Sequence, residues 1–143
     1  MGKLTDELRR EHSRIMGSLQ GLGEEDPATA SARARLKAAH TTLLAHITKE
    51  EIEIYDALDA AAETDMGLRR TLQIFGLDTV AVTRAVMAFF GKWLNQAPAP
   101  GFRSEFEAML VALRTRIHRE EELLFKEYDR TLAMESTQPL HAD

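Results

Sequence analysis

The sequence predicts an all-α protein that folds as an antiparallel, up-down-up-down four-helix bundle. Helix-favouring alanine, leucine, glutamate and arginine are abundant, while the 8 glycines and 4 prolines are few. Apolar residues recur every three or four positions in four separate segments, which is the period of amphipathic helices. No segment alternates polar and apolar residues over the length of a strand. Four such helices joined by short loops pack most simply as an antiparallel bundle.

The first helix is predicted from about Thr5 to Leu22, because Gly21 and Gly23 mark its end. Its apolar residues step by three and four along one face. They are Leu4, Leu8, Ile15, Leu19 and Leu22. His12 is the one residue in this stripe that is not apolar.

The second helix is predicted to begin at Asp26 and Pro27, a cap followed by a first-turn proline, and to run to about Ala62. Its inner face combines apolar residues with two ionisable ones. The stripe reads Leu36, Ala39, Leu43, His46, Glu50, Ile54, Leu58 and Ala61. His46 and Glu50 lie one helical turn apart, so their side chains point the same way.

The third helix is predicted to start after a cap at Thr64 or Asp65 and to reach about Asn95. Its inner stripe is almost entirely apolar and contains no histidine. The stripe reads Leu68, Leu72, Phe75, Thr79, Val82, Val86, Phe89 and Trp93.

The fourth helix is predicted to open at the capping box formed by Ser104 and Glu107, after a loop over Pro98–Gly101. At two positions of its inner face, either of two neighbouring residues could point inward. The face carries Phe106, Leu110, Leu113, Ile117 or His118, Glu121 or Glu122, Phe125 and Tyr128. The bundle is expected to occupy residues 1–133, and residues 134–143 form a polar C-terminal tail.

Composition excludes several classes of function. The chain has no cysteine, so any metal must be held by nitrogen and oxygen ligands, which suits iron, manganese or zinc. The 18 basic residues are interspersed among 23 acidic ones, so no basic patch for nucleic acid stands out. The N-terminus lacks the apolar core of a signal peptide, and the weakly charged stretch Ala85–Gly91 is too short to span a bilayer. We expect a cytoplasmic protein with no nucleic-acid or membrane partner.

Histidines and glutamates interrupt three of the four stripes in a coherent pattern. His46 and Glu50 are four residues apart, and His118 and Glu122 repeat that spacing in the fourth helix. With His12, they form a candidate metal site in the core, since an isolated ionisable residue is expensive to bury. The alternative is a set of solvated ion pairs, because a single histidine–glutamate pair at this spacing is common on helix surfaces.

Three segments resemble the hemerythrin-like cation-binding domains, also called HHE domains, over roughly Leu4 to Tyr128. They are LRREHSRIMGSL, HITKEEIEIY and HREEELLF. The resemblance implies a nonheme, usually diiron centre in a four-helix bundle. It implies His12, His46, Glu50, His118 and Glu122 as metal ligands.

One feature departs from the family, which normally supplies a further histidine from the third helix. Thr79 stands at the inward position where that histidine is expected, so we interpret it as a vacated ligand position. Asp78 beside it is a possible additional oxygen ligand. Five protein ligands are ample for one metal ion and few for two.

The resemblance implies a nonheme iron protein that binds or senses dioxygen, nitric oxide or peroxide. Two alternatives stay open: a diiron enzyme that decomposes peroxide or supports iron–sulfur repair, and a helical interaction or regulatory module that has lost its metal. If the protein is a sensor, its output passes to a separate protein or to a second copy in a homodimer.

Overall fold

The computed structural model describes residues 2–137, of which residues 78, 136 and 137 are described by their backbone alone. Within this range the chain is all-helical and contains no strand, which confirms the predicted class. The elements are α1 (Lys3–Gly23), α2 (Ala30–Glu50), a π-helical turn (Glu51–Tyr55), α3 (Asp56–Ala61), α4 (Met66–Trp93), α5 (Phe102–Arg119), a second π-helical turn (Glu120–Leu124) and α6 (Phe125–Thr137). Because the π turns are continuous with their neighbours, four helical rods result. We call the rod from α2 to α3 the second rod and that from α5 to α6 the fourth rod.

The start of the second rod lies a few residues later than predicted. The Asp26 carboxylate accepts a hydrogen bond from the Ala28 amide at 2.9 Å, which closes a turn. Helix α2 begins after Thr29, whose hydroxyl accepts a hydrogen bond from the Ala32 amide at 3.1 Å. Thr29 is therefore the helix cap, because it satisfies one of the first free amide groups.

The starts of α4 and α5 differ in how closely they match the prediction. Of the two predicted caps of α4, Thr64 and Asp65, the structure shows Asp65, whose carboxylate accepts a hydrogen bond from the Leu68 amide at 3.0 Å. Helix α5 begins at Phe102, before the predicted capping box, and follows Gly101 with a φ of 103°. That left-handed backbone conformation favours glycine.

The fourth rod is helical to Thr137. Residues 138–143, including His141, lie outside the described residues. The division into residues 1–133 and 134–143 stays a prediction.

The core consists of two clusters of buried apolar side chains with a polar layer between them. Along α1, Leu8 belongs to one cluster and Ile15 to the other, and His12 lies between them. Along the second rod, Leu43 and Ile54 belong to different clusters, with His46 and Glu50 between them. The fourth rod repeats this order: Leu113, then Arg116 and Glu120, then Leu124. The polar layer therefore crosses three rods at one level.

Side-chain contacts fix the rods to one another near their ends. The Arg33 guanidinium donates hydrogen bonds to the carbonyl oxygens of Trp93 and Leu94 at 2.6 and 3.2 Å. The Thr5 hydroxyl donates to the Asp129 carboxylate at 3.0 Å. These contacts tie the second rod to the end of α4 and α1 to the end of the fourth rod, while the up-down-up-down order of the bundle stays a prediction.

Helix α4 is the one helix among residues 2–137 whose length and apolar composition would suffice to cross a membrane. A buried core helix of a soluble protein meets the same two criteria. Helix α4 buries Phe75, Val86, Phe89, Phe90 and Trp93, while 24% of its apolar window as a whole is buried. The predicted cytoplasmic location stays a prediction.

Replacing Thr29 with alanine is expected to lower the free energy of unfolding by about 1 kcal/mol, because the cap on α2 is lost. Urea unfolding followed by circular dichroism measures this change. Thr41→Ala is the matched control, since the Thr41 hydroxyl only donates back to the Lys37 carbonyl within the exposed part of α2. Equal destabilisation of the two variants would contradict the capping role of Thr29.

Candidate metal centre

Four buried side chains from three rods converge in the polar layer. They are His12 from α1, His46 and Glu50 from α2, and Glu120 from the second π turn, exposed by 2%, 5%, 1% and 1%. One nitrogen or oxygen atom from each residue lies within 4.8 Å of the corresponding atoms of the others. A small cavity of about 10 Å³ lies among them, close to the minimum that holds one water molecule.

The π turns explain how glutamates and apolar residues share one face of a rod. A π turn holds one more residue than an α turn, so that residues five apart return to the same face. Glu120 begins the second π turn and Phe125 follows its end; the two residues are five apart and both are buried. Glu50 directly precedes the first π turn, and Ile54 within it is buried. Each rod therefore continues its apolar face after contributing a carboxylate.

An outer carboxylate holds each histidine by its Nδ1 atom. His46 Nδ1 lies 2.7 Å from Glu11 Oε1, and His12 Nδ1 lies 2.7 Å from Glu121 Oε2. When Nδ1 carries the proton of this hydrogen bond, the lone pair of Nε2 is free to bind a metal. Both rings are therefore oriented as metal-binding histidines are, with Nε2 directed into the cluster.

The Nε2 atom of His46 is buried and has no hydrogen-bond partner among residues 2–137. It lies 3.0 Å from Glu50 Oε2, but the contact lacks the alignment of a hydrogen bond. A buried polar atom without a partner calls for an explanation such as an ion. A cation between this nitrogen and the carboxylate would satisfy both groups.

The distances within the cluster suit one metal ion. His12 Nε2 lies 3.1 Å from Glu50 Oε2 and 3.2 Å from Glu120 Oε1. Two ligand atoms that are each about 2.1 Å from a metal ion, at right angles to one another, lie about 3.0 Å apart. Two imidazoles and two carboxylates are also ligands that iron, manganese and zinc accept.

A buried arginine completes the polar layer. Arg116 is 6% exposed and donates from Nη2 to Glu50 Oε1 at 3.3 Å and from Nε to Glu120 Oε2 at 3.2 Å. Its Nη1 atom donates to the Thr83 hydroxyl, and the Tyr55 hydroxyl donates to Glu120 Oε2 at 3.0 Å. Each glutamate therefore directs one oxygen to the histidines and the other to Arg116.

The pKa values in the cluster show how the metal-free network balances its charges. Burial would raise the pKa of Glu50, but the hydrogen bond with His12 and the proximity of His46 lower it well below its usual range. Burial raises the pKa of Glu120, and the charge of Glu50 adds to this effect. Burial would lower the pKa of His12, yet hydrogen bonds with Glu120 and Glu50 raise it to about 10. The raised pKa values of His12 and Glu120 thus favour protons in the part of the network where a cation could bind.

The predicted inward orientation of His118 and Glu122 is wrong. Both residues are exposed, and the Glu122 carboxylate, 59% exposed, forms a surface ion pair with Lys126 at 3.6 Å. The fourth rod buries Arg116 and Glu120 instead, which are also four residues apart. This choice of face turns His118 and Glu122 towards solvent, away from the other predicted ligands.

Thr79 lies outside the cluster of four buried residues. Thr79 is half-buried and lines a cavity of about 370 Å³ together with Thr83, Tyr55 and Arg116. It therefore lies on the arginine side of the glutamates. The side chain of Asp78 is outside the described residues, so its role as an oxygen ligand stays a prediction.

Glu120 and Arg116 were missed by sequence reasoning, although one signal pointed to them. The order His46, Glu50, Ile54 in the second rod recurs as Arg116, Glu120, Leu124 in the fourth, with the same spacing of four. This signal was overlooked because arginine is seldom buried and because His118, two residues later, is a more common metal ligand.

The family model of the hemerythrin HHE cation binding domain matches residues 3–128 of the sequence. The chain therefore belongs to this family. Comparisons with curated proteins and with solved structures gave no match. The family implies a metal ion, and the four buried residues at the cluster can hold one.

Replacing Glu11 with glutamine is expected to weaken Mn²⁺ binding about 10- to 100-fold, because His46 loses the carboxylate that orients its ring. Calorimetric titration of metal-free protein measures the affinity. Glu7→Gln is the matched control, since Glu7 pairs with Lys49 without touching either histidine. An unchanged affinity in Glu11→Gln would show that this carboxylate does not support a metal ligand.

Proposed function

We propose that the protein binds one iron ion through His12, His46, Glu50 and Glu120, and that it binds or senses a small diatomic or peroxide ligand there. The buried, unpartnered Nε2 atom of His46, beside a carboxylate, is the observation that carries this proposal. The family match supports metal binding, and the absence of cysteine leaves nitrogen and oxygen ligands. We further propose that the rods form an antiparallel up-down-up-down bundle in the cytoplasm.

Each residue of the cluster has a defined task in this proposal. His12 and His46 present their Nε2 atoms, and Glu121 and Glu11 keep both rings in place. Glu50 and Glu120 present one oxygen each and neutralise the charge of the ion. A bound iron ion would supply redox chemistry and, since four protein ligands do not fill an octahedron, positions for an exogenous ligand.

A cavity beside His46 supports access by a small ligand. It has a volume of about 620 Å³ and lies between α1 and α2. Small side chains, among them Ser18, Ala39 and Ala45, line it together with His46 and Glu11. A diatomic molecule or peroxide could therefore approach the metal-binding layer from this side of the bundle, whereas the two apolar clusters cover the layer above and below.

The charge balance favours a second candidate, a metal-free regulatory or interaction module. Arg116 and a protonated His12 together carry the charge that neutralises Glu50 and Glu120 when no ion is bound. In that case the cluster serves to hold three rods together, and the output is a contact with another protein. Metal content separates the two candidates.

Anaerobic addition of ferrous iron to metal-free protein is expected to yield about one tightly bound iron per chain and a higher melting temperature. Stability rises because only the folded state assembles the four ligands, by about 2.7 kcal/mol at a free iron concentration 100 times the Kd. Elemental analysis after desalting and thermal unfolding measure the two effects. Absence of both would favour the metal-free module.

Two histidine variants show whether the bound iron occupies the proposed cluster. His46→Ala removes a buried ligand and is expected to abolish retention of iron through desalting, whereas the exposed His118→Ala is expected to retain about one iron. Loss of iron in His118→Ala, with retention in His46→Ala, would show that iron binds at His118 and Glu122 on the surface instead.

Nitric oxide added to the iron-loaded protein under argon is expected to change its visible absorption spectrum, because the proposed site has an open position. The metal-free protein is the control. A spectrum that stays the same would contradict small-ligand binding while leaving metal binding intact.

A further inference from the structure

We propose that the guanidinium of Arg116 occupies the place of a second metal ion in a carboxylate-bridged pair, and that it limits this centre to one ion. This inference rests on the proposed metal centre and deepens it. It names a residue of this chain that determines how many metal ions the bundle holds.

The division of the carboxylate oxygens carries the proposal. Glu50 directs Oε2 to the two histidines and Oε1 to Arg116. Glu120 directs Oε1 to His12 and Oε2 to Arg116. A carboxylate that bridges two metal ions divides its oxygens in the same way, one to each cation. Here the histidine side offers a metal site, and the other side already holds a cation.

Arg116 is well suited to replace an ion at this position. Its guanidinium is always charged, and its planar array of donors matches carboxylate oxygens. Thr83 accepts a further hydrogen bond, and Tyr55 donates to the same oxygen of Glu120 that Arg116 contacts. The guanidinium could leave only by giving up its bonds to both buried glutamates, which would leave those oxygens without a cation.

Charge also argues against two ions beside Arg116. Two glutamates and one arginine carry a net charge of −1, so one divalent ion brings the cluster to +1 and two bring it to +3. The outer carboxylates of Glu11 and Glu121 offset part of this charge, yet a second divalent ion would still place two more positive charges beside the buried guanidinium, which is unfavourable. The small cavity of about 10 Å³ among these residues likewise suits a single ion.

The spacing in the fourth rod shows what a single substitution would restore. Arg116 precedes Glu120 by four residues, as His46 precedes Glu50. A histidine at position 116 would therefore repeat the histidine–glutamate pair of the second rod and remove the positive charge. Arg116→His is expected to convert a one-ion centre into a two-ion centre.

The experiment is a titration of metal-free full-length protein with Mn²⁺, followed by calorimetry and by electron paramagnetic resonance. The wild type is expected to bind one ion with the six-line spectrum of isolated Mn²⁺. Arg116→His is expected to bind two ions whose spectrum shows magnetic coupling. Arg114→His, an exposed arginine two residues earlier, is the matched control and is expected to bind one.

The outcomes separate this inference from the proposed function. Two ions in the wild type, or one ion in both the wild type and Arg116→His, would overturn the role of Arg116 and leave metal binding in place. No ion in the wild type but one in Arg116→His would support the blocking role and overturn the one-iron centre. No ion in either protein would overturn both.

Arg116→Gln keeps the test decisive if the histidine variant does not fold. Glutamine vacates the same oxygens of Glu50 and Glu120 without adding an imidazole, so a second, weaker Mn²⁺-binding event is expected. A single binding event in Arg116→Gln, at every Mn²⁺ concentration at which its circular dichroism remains native, would contradict the proposal.

Discussion

Two carboxylates buried side by side impose the main physical constraint on this bundle. Glu50 and Glu120 are each 1% exposed, and two such charges cannot remain in an apolar core unless cations or proton donors surround them. The surrounding groups come from separate parts of the chain: His12 from α1, His46 from α2 and Arg116 from α5. Because no single rod satisfies the pair, the rods must align at this level. The polar layer thus specifies how the helices fit together as well as what they can bind.

The same requirement explains why the backbone is irregular where it is. Within the described residues, the π turns occur at Glu51–Tyr55, directly after Glu50, and at Glu120–Leu124, which begins with the second carboxylate. Each turn adds a residue and so keeps the following apolar side chains on the core face. Apolar clusters then enclose the polar layer from both sides. Among residues 2–137, the π-helical irregularities lie at the candidate site, while the other helical segments are α-helical.

The helices and part of the site could be predicted from periodicity, because a burial period of 3.6 residues is visible without knowledge of tertiary contacts. His12, His46 and Glu50 lay in clear apolar stripes, and the structure brings them together. In the fourth rod the stripe after Leu113 fits either of two adjacent faces. Because arginine is usually exposed, the sequence favoured the face of His118 and Glu122. Arg116 can be buried only because Thr83 and Glu50, on other rods, bind its guanidinium, and the sequence does not show these contacts. The lack of a histidine in the third helix was visible in the sequence, whereas the burial of Arg116 depends on packing against the other rods.

A built-in guanidinium would change how strongly metal binding and folding depend on each other. In a centre with two exchangeable ions, loss of both leaves buried carboxylates that only protons can neutralise. Arg116 cannot dissociate, so one positive charge remains between Glu50 and Glu120 whatever the metal supply. With His12 protonated, the network is already neutralised and hydrogen-bonded in the absence of metal. The bundle would then remain folded when iron is scarce, and iron occupancy could vary without unfolding the domain. A reversible change in occupancy is what a regulatory response to iron or to its ligands requires.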